Sequence, residues 1–464
     1  MQPTEDTVLS GTVVVVGAGV AGLLTAHLLA ESGAKVVVIE KLNQLGGLAR
    51  SYTYGDFVFD IGPHRFHTAN PNIQAYLDRV LADEGTRFPR LSEVYFRGKY
   101  YRWPLRPQNL TQLPKSIALK AFRDLAFNGR KNFNADTFQN YVLSQYGQTL
   151  YQNFFHDYSI KFLGVHPKDT HPDWAKVGIN RAVIDEKLQM GNITQLAKTT
   201  FLQAKGKKET DFVYPRGGMK HAWSSLAEKF LGLGGRIIMG TGARLEGGSG
   251  RIDAVWAGDE RIECSKVVWT APITVAMEQL DHGKPDLDYL GLLLFNVLVR
   301  GDAVRPYQWC YFGQKDLVFN RISIPRFFCD ETCPPGTHGL CVEVTCMEGD
   351  ARWKHAENLT DWVVDDLVRV GAVRSRRQIE DIHVERIADS YPIYTVDYPG
   401  KLEACRKALA QYKNLHLAGR SGLFWYNNMD HSMENAMQLS RKLLQQAGRH
   451  EASEDQLAAG AMSA

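Results

Sequence analysis

Residues 13–50 decide the fold of this chain, and they read VVVVGAGVAGLLTAHLLAESGAKVVVIEKLNQLGGLAR. The valines at 13–16 predict a buried parallel strand, and the Gly-x-Gly-x-x-Gly of Gly17, Gly19 and Gly22 predicts a tight turn into a helix. In this motif the first glycine makes the turn, the second lets the backbone approach a ligand, and the third lets the helix pack closely on the strand. Unpaired amides and the positive end of the helix dipole then indicate a diphosphate-binding site.

A second buried strand is predicted at residues 35–39, and it ends at Glu40. A carboxylate at this position can accept hydrogen bonds from both ribose hydroxyls of an adenosine, and the spacing from Gly17 suits one βαβ unit. Lys41, the next residue, joins the candidates for cofactor binding. A glycine-rich turn without a ligand is the alternative interpretation of the motif.

The kind of dinucleotide is indicated by LGGLAR at residues 45–50. Gly46 and Gly47 provide a second backbone cradle and Arg50 provides a cation, which suit a longer cofactor with a flavin end. We therefore predict FAD rather than a nicotinamide cofactor. A second dinucleotide cradle is not expected, because Gly240 and Gly242 are not followed by a helical pattern.

The length of 464 residues predicts more than one domain. We expect an α/β chain with a Rossmann-type FAD-binding domain containing a parallel sheet, and a mixed substrate domain with a helical insertion and an antiparallel sheet. The FAD-binding domain would comprise residues 10–75, 210–280 and 405–448, the helical insertion 76–209, the antiparallel sheet 281–404, and a disordered tail 449–464.

The composition excludes several classes of protein. A net charge of +3 does not predict a nucleic-acid partner. The amino terminus lacks the apolar region of a signal peptide, and the longest apolar stretch, 287–299, is too short to cross a bilayer. We therefore predict a cytoplasmic protein without an integral membrane segment, while peripheral membrane contact and the oligomeric state stay open. An odd number of cysteines, seven, fits a reducing compartment.

No metal site is predicted. Cys341 and Cys346 lie five residues apart in an alternating segment, which places them on opposite faces of a strand.

The segment 57–68, FVFDIGPHRFHT, leads from a strand through a Gly-Pro turn into histidines and an arginine. Such groups are rarely buried without partners, so this loop is predicted to face a ligand, with a solvated surface loop as the alternative. Together with the glycines, it resembles the two-dinucleotide-binding-domain flavoproteins, which include amine oxidases and protoporphyrinogen oxidases. Within them it is similar to the G-x-H-x-F-H-T loop of the UDP-galactopyranose mutases, which implies that His64 lies against the flavin near N5.

Later segments extend the resemblance to the mutases. It implies that Phe154 and Tyr158 hold a uracil, and that Arg321 and Tyr391 contact a diphosphate. Ordinary helix core is the alternative for the first pair and a surface ion pair for Arg321. Residues 415–430 resemble the last flavin-binding segment, and the candidates there are Gly419, Arg420, Tyr426, Asn428 and Met429.

Two positions depart from the mutase pattern. Leu163 stands where the mutases have a tryptophan, and Val177 stands where they have an arginine against the diphosphate. Arg181, one helical turn later, is a candidate replacement. The loss of one bidentate contact is worth about 1.5–3 kcal/mol, which is enough to change the preferred substrate.

The first functional hypothesis is an enzyme that acts on a nucleotide sugar or a related activated sugar. The resemblance implies a pyranose/furanose mutase in which N5 of reduced flavin is the nucleophile, with His64, Arg321, Tyr391, Arg420 and Tyr426 as catalytic candidates. The alternative is an FAD-dependent oxidase, dehydrogenase or desaturase of the protoporphyrinogen oxidase or amine oxidase type. A flavin-binding scaffold without turnover is a third possibility.

Overall fold

The computed structural model of the chain describes residues 9–81, 84–103, 112–127, 135–175, 212–248 and 250–461. Within these ranges the strands form one parallel sheet, one large mixed sheet and three small antiparallel sheets. The predicted α/β class is confirmed. The strands, in chain order, are β1 Thr12–Val16, β2 Lys35–Ile39, β3 Ser51–Tyr54, β4 Phe57–Asp60, β5 Gly85–Phe88, β6 Ser92–Phe96, β7 Lys99–Arg102, β8 Phe212–Pro215, β9 Arg236–Ile238, β10 Ala243–Gly248, β11 Arg251–Ala257, β12 Glu260–Glu263, β13 Lys266–Trp269, β14 Tyr289–Arg300, β15 Trp309–Phe312, β16 Arg321–Ser323, β17 Thr337–Met347, β18 Ile379–Pro392 and β19 Leu415–Leu417.

The helices lie between these strands and after the last one. They are α1 Val20–Glu31, α2 Pro71–Leu81, α3 Lys115–Phe127, α4 Phe138–Leu150, α5 His156–Leu163, α6 Met219–Gly232, α7 Ile273–Gln279, α8 Ala351–Lys354, α9 Thr360–Arg369, α10 Tyr398–Leu409, α11 Gly419–Gly422 and α12 Met429–Ala461. A π-helical turn, Tyr151–Phe155, joins α4 to α5.

The parallel sheet has the strand order β19-β13-β1-β2-β9. Val13 and Val15 of the central strand β1 belong to one hydrophobic cluster, and Val14 and Val16 belong to another, because both faces of the sheet are covered. Helix α1 connects β1 to β2 and packs against α6 and α12. The predicted βαβ unit is therefore confirmed, and the sheet gathers strands from the beginning, middle and end of the chain.

The large sheet has the strand order β18-β14-β17-β16-β15-β6-β7. All its neighbouring strands are antiparallel except β6 and β15, which are parallel. The antiparallel sheet that the sequence predicts at 281–404 is therefore incomplete, because the hairpin of β6 and β7 also belongs to the sheet. Strand β6 pairs with the side of β15 that β16 leaves unpaired, and β7 then forms the edge of the sheet.

The sequence also predicts strands at residues 236–245 and 317–324, and both predictions are wrong in extent. Residues 236–245 divide into β9 and β10, since Gly240 between them has a φ of +74°. Residues 317–324 contribute only Arg321–Ser323, because the preceding turn bends its carbonyls toward Lys161. The Lys161 ammonium donates hydrogen bonds to the carbonyl oxygens of Phe312, Gln314 and Phe319.

The end of the chain also differs from the prediction. Helix α12 continues to Ala461, so residues 449–461 are helical rather than disordered. The segment is rich in alanine and glutamate and also contains glutamine and leucine, all of which have high helix propensity and extend a helix without an apolar stripe. No helix in the described part of the chain is long and apolar enough to cross a membrane.

Candidate functional site

The first glycine motif forms a closed turn between β1 and α1. Gly17 has a φ of +99°, and a Cβ on it would lie 2.3 Å from Oγ1 of Thr270. A Cβ on Gly22 would lie 1.9 Å from the carbonyl oxygen of Gly17. Only glycine fits at either position, as the motif predicts.

The second glycine pair contacts the first motif directly. The amide of Gly46 donates a hydrogen bond of 2.8 Å to the carbonyl of Ala18, and Gly19 and Gly46 form a parallel bridge. Gly46 and Gly47 have φ values of +100° and +56°, and a Cβ on Gly47 would lie 3.0 Å from Cα of Gly19. Two backbone loops thus meet with no side chain between them.

Charged residues stand around this cradle. The Glu40 carboxylate is buried and accepts hydrogen bonds from the amides of Ala18, at 2.7 Å, and Leu42, at 2.9 Å. The Arg50 guanidinium is also buried and donates to the carbonyl of Gly47 at 2.9 Å. Lys41, by contrast, is exposed on the outer loop.

Two observations of the structure indicate that the cradle fits a dinucleotide. The glycines leave bare backbone where a side chain would otherwise stand, at the amino end of α1. Nε of Arg50 is buried and has no hydrogen-bond partner in the protein, so a buried cationic donor is left for a bound group.

His64 lies on the loop that follows β4. Its amide donates a hydrogen bond of 2.9 Å to the carbonyl of Gly62, and its Nδ1 is buried without a hydrogen-bond partner. Burial, together with the positive charges of Arg420, Arg321 and Arg65, lowers the pKa of His64 to about 3. The imidazole is therefore neutral near pH 7.

Arg321 forms a buried ion pair that the sequence analysis did not predict. Its Nε and Nη2 donate to the two carboxylate oxygens of Glu343 at 2.5 and 2.6 Å, and the Glu343 side chain is 1% exposed. The residues are directly opposite each other on β16 and β17. Burial alone would lower the pKa of Arg321. The Glu343 carboxylate outweighs this effect and raises the pKa of Arg321 well above its usual value.

Arg420 connects the carboxyl end of the chain to this pair. Its guanidinium carbon lies 5.7 Å from the ring centre of Tyr391 and 5.3 Å from that of Tyr426. Nη1 and Nη2 donate to the carbonyls of Ser390 and Asn427. Nη2 of Arg321 also donates to the Tyr391 hydroxyl, at 3.4 Å. The five catalytic candidates therefore surround one place in the fold.

Arg65 is a third arginine at the same place. Its guanidinium is held between two rings, with its carbon 4.8 Å from the ring centre of Phe212 and 4.6 Å from that of Trp309. Nη1 donates to the carbonyl of Pro63, while Nε is buried without a partner. Burial and the nearby Arg90 lower the pKa of Arg65 to about 10, so it remains a cation. Arg65, Arg321 and Arg420 are called the arginine cluster below.

Aromatic side chains line the arginine cluster. Tyr158 packs against Tyr311, with ring centres 6.0 Å apart, and Tyr311 faces Arg321. Trp174 stacks on Tyr426, with ring centres 4.7 Å apart and planes inclined by 16°. Burial raises the pKa values of the phenols of Tyr158, Tyr391 and Tyr426, so each stays protonated and can donate a hydrogen bond.

The two residues assigned to a uracil have different surroundings. Tyr158 belongs to the aromatic lining, whereas the ring of Phe154 lies 4.6 Å from that of Phe96 in the β6–β7 hairpin. The structure therefore does not place Phe154 in ring contact with Tyr158. Leu163 is buried in the core. Val177 and Arg181 lie outside the described residues.

The carboxyl-terminal candidates lie beside the first helix. Gly419 has a φ of +73°, and its amide donates to Oδ1 of Asn435 at 3.1 Å. The amide of Asn428 donates to Nδ1 of His431, directly before α12 begins at Met429. These two amides are thus used within the protein, and the backbone between them brings Arg420 and Tyr426 to the arginine cluster.

Three residues at this place in the fold are not among the predicted site residues. Glu343 had a usable signal, because it is the only carboxylate in the apolar strand GLCVEVTC and a buried acid requires a cationic partner. Arg65 belongs to the loop at 57–68 that the sequence predicts to face a ligand, although it is not among the individual site candidates. Trp174 had no signal, since only the fold brings it to Tyr426. In the described residues, no group of three or more His, Cys, Asp or Glu side chains could hold a metal ion.

Comparison with known proteins shows what this chain resembles. The family profile of the NAD(P)-binding Rossmann-like domain matches residues 15–80. The dTDP-fucopyranose mutase of Escherichia coli is 29% identical over 165 residues, which cover 34% of this chain and 43% of that protein. The aligned region therefore covers less than half the length of this relative.

Solved structures extend the similarity to nearly the whole chain. A reduced UDP-galactopyranose mutase superposes with a TM-score of 0.79 at 18% identity, covering 94% of each chain. Putrescine oxidase bound to putrescine superposes with a TM-score of 0.61 at 15% identity, covering 94% of this chain and 99% of that one. The resemblance to the mutases is confirmed in sequence and in fold, and the amine oxidase type shares the fold.

Proposed function

We propose that this chain is an FAD-dependent enzyme that acts on a nucleotide sugar or a related activated sugar, as a pyranose/furanose mutase does. One observation carries the proposal. The arginine cluster and three protonated tyrosines converge beside His64, whose charged neighbours are the three arginines. This arrangement is suited to a group with concentrated negative charge, such as a diphosphate.

The charges of the cluster fit an anion. Glu343 neutralises Arg321, whereas the guanidinium groups of Arg65 and Arg420 donate to backbone carbonyls. The Asp430 carboxylate also acts on Arg65, but one carboxylate offsets only one of these two positive charges. A net positive charge is thus left to balance a bound anion. It also stabilises the diphosphate as it departs from the sugar, where negative charge increases.

The tyrosines and His64 supply uncharged contacts. Protonated phenols of Tyr158, Tyr391 and Tyr426 can donate hydrogen bonds to phosphate oxygens, and the aromatic faces can pack against a base or a sugar ring. The neutral imidazole of His64 offers its free Nδ1 as a donor or an acceptor, depending on the tautomer. None of these groups is poised as a strong base. A reaction without net redox change suits a chain whose sequence predicts no second dinucleotide cradle.

The residues that would hold FAD are those of the cradle. Gly17, Gly19, Gly22, Gly46 and Gly47 would bind the diphosphate through the backbone, with Arg50 as a cationic donor and Glu40 near the ribose. When bound, FAD supplies a ring that can act as a nucleophile when reduced or accept a hydride when oxidised. Lys41 is exposed on the outer loop, and its role in cofactor binding stays a prediction.

The test compares the two redox states of the purified protein. Its visible spectrum is recorded first, and dithionite-reduced and oxidised samples are then incubated with UDP-galactopyranose and dTDP-fucopyranose. We expect furanose product from the reduced sample only. Turnover that bleaches the oxidised sample would favour the oxidoreductase alternative, and a colourless protein that takes up no FAD would overturn both.

The alternative is an FAD-dependent oxidoreductase of the amine oxidase type. The Arg321–Glu343 pair favours this alternative, because the pair offers a substrate less net positive charge than a free arginine would. The fold that the chain shares with putrescine oxidase also favours it. In that case an amine or another neutral donor would replace the nucleotide sugar.

A further inference from the structure

Helix α3 presents an apolar strip to solvent. Leu119 is 72% exposed and Phe122 is 51% exposed, whereas Ile117 and Ala121 on the other side of the helix are buried. Residues three positions apart lie side by side on a helix, so Leu119 and Phe122 form one continuous ridge. Exposed large apolar side chains in such a group indicate a contact surface.

Positive charge surrounds this ridge. Lys115, Lys120 and Arg123 are exposed on α3. The single acidic residue of the helix, Asp124, turns toward α4, where its carboxylate accepts hydrogen bonds of 2.7 Å from both the amide and the hydroxyl of Thr149. The exposed side of α3 is therefore apolar and cationic, without a carboxylate.

The charge extends along the chain on both sides of α3. Residues 97–135 contain nine Lys and Arg residues and one acidic residue, Asp124, which gives this segment a net charge of +8. The chain as a whole has a net charge of only +3, so the remaining residues are on balance acidic. In the sequence, cationic residues are thus concentrated in and around α3.

We propose that α3 is a docking surface for an anionic lipid bilayer, with Leu119 and Phe122 inserted at the interface and the basic residues against lipid headgroups. A helix with an apolar ridge and flanking lysines and arginines lies in the plane of such an interface. A second copy of the chain is a poor occupant, because a symmetric contact would bring like charges together. The proposal is independent of the proposed enzymatic function.

The test is co-sedimentation of the full chain with lipid vesicles. We expect binding to vesicles with about one third phosphatidylglycerol, and little binding to pure phosphatidylcholine. Binding should weaken when NaCl is raised from about 0.05 to about 0.5 M, because salt screens the headgroup charge. Equal binding to both lipids, or none to either, would overturn the proposal.

A matched pair of variants locates the surface. Leu119→Asp with Phe122→Asp should weaken vesicle binding by at least about tenfold, since it removes the inserted ridge and repels anionic lipid. Trp362→Asp is the control, because Trp362 is 65% exposed on α9 beside Asp361 and Asp365, and it should bind as the unaltered chain does.

Two further measurements distinguish loss of the surface from loss of the fold. The melting temperature and visible spectrum of each variant report whether it is folded. Lys120→Glu with Arg123→Glu keeps the ridge and should remove the preference for phosphatidylglycerol. Unchanged vesicle binding by the folded Leu119/Phe122 variant would contradict the proposal. It would also be contradicted if the unaltered chain bound no vesicles but formed a dimer that this variant disrupts.

Discussion

The guanidinium of Arg321 is held by both carboxylate oxygens of Glu343, at 2.5 and 2.6 Å, in the middle of the large sheet. Strands β16 and β17 place the two residues directly opposite each other. Gly62 must be a glycine beside them, since a Cβ there would lie 2.8 Å from Glu343 Oε1. The pair therefore fixes Arg321 next to Tyr391 and the His64 loop.

Glu343→Gln should destabilise the protein. An amide leaves the buried guanidinium without its counter-charge, and we expect the free energy of unfolding to fall by about 3 kcal/mol. Urea unfolding measures this change. Glu380→Gln is the matched control, because its partner Arg300 is 73% exposed, and it should have little effect. Equal changes for both variants would contradict the importance of burial.

Replacing the whole pair should separate stability from activity. Arg321→Met with Glu343→Leu removes both charges and fills the space with apolar side chains, so stability should return to within about 1 kcal/mol of the original. Under the proposed function, kcat with a nucleotide sugar should remain strongly reduced and FAD should stay bound. Full activity of this stable double variant would remove Arg321 from the site.

Gly47→Ala should reduce FAD binding. The added Cβ would stand 3.0 Å from Cα of Gly19, inside the cradle, so we expect a lower ratio of flavin absorbance to protein absorbance in the purified protein. Gly55→Ala is a close control, because Gly55 has a φ of +55°, against +56° for Gly47, and no atom within 4 Å of an added Cβ. Both variants carry a backbone strain of about 1–2 kcal/mol, but only the first should lose flavin.

Asp60 should make the stability of the folded protein depend on pH. Burial raises the pKa of Asp60 to about 6, although hydrogen bonds from Ser51 and Tyr214 oppose this shift. Between about pH 4 and pH 6 the folded state therefore holds a proton that the unfolded state has released, so stability falls as pH rises through this range. The contribution is about 3 kcal/mol for a shift of about two pH units.

Asp60→Asn isolates this contribution, because an amide does not titrate. The free energy of unfolding of the unaltered protein, relative to that of the variant, should fall from about pH 4 to about pH 6 and then stay constant. Other titrating groups, including His64 and His416, are common to both proteins and cancel in the difference. A flat difference across this range would show that Asp60 is ionised throughout.

Arg65→Met should weaken the binding of UDP by about 10-fold to 100-fold, because one charge-assisted contact is lost while the side chain still fills the space between Phe212 and Trp309. Calorimetric titration measures this affinity. Arg90→Met is the control, since Arg90 also lies over Trp309 but is not among the charges that lower the pKa of His64. Equal affinities for the two variants would exclude Arg65 from an anion site.

Much of the cofactor region was predictable from the sequence. The strand of valines, the glycine turn and Glu40 are local features, so the chain order by itself fixes the βαβ unit. The substrate side was less predictable. Strand β18 mixes charged and apolar residues because it is half exposed. Its Tyr391 contacts Arg321, which lies 70 residues earlier in the sequence.

The amino-acid sequence determined those parts in which neighbouring residues decide the outcome. These are the turn that only glycine can make, the buried strand that precedes it, and the alternation that sends Cys341 and Cys346 to opposite faces of β17. The tertiary structure alone decided which charges meet. Glu343 neutralises Arg321, and Arg65 joins Arg321 and Arg420 in the arginine cluster, because long-range strand pairing and packing set these distances. Electrostatic interactions depend on distance and burial, and neither is written in the spacing of residues along the chain.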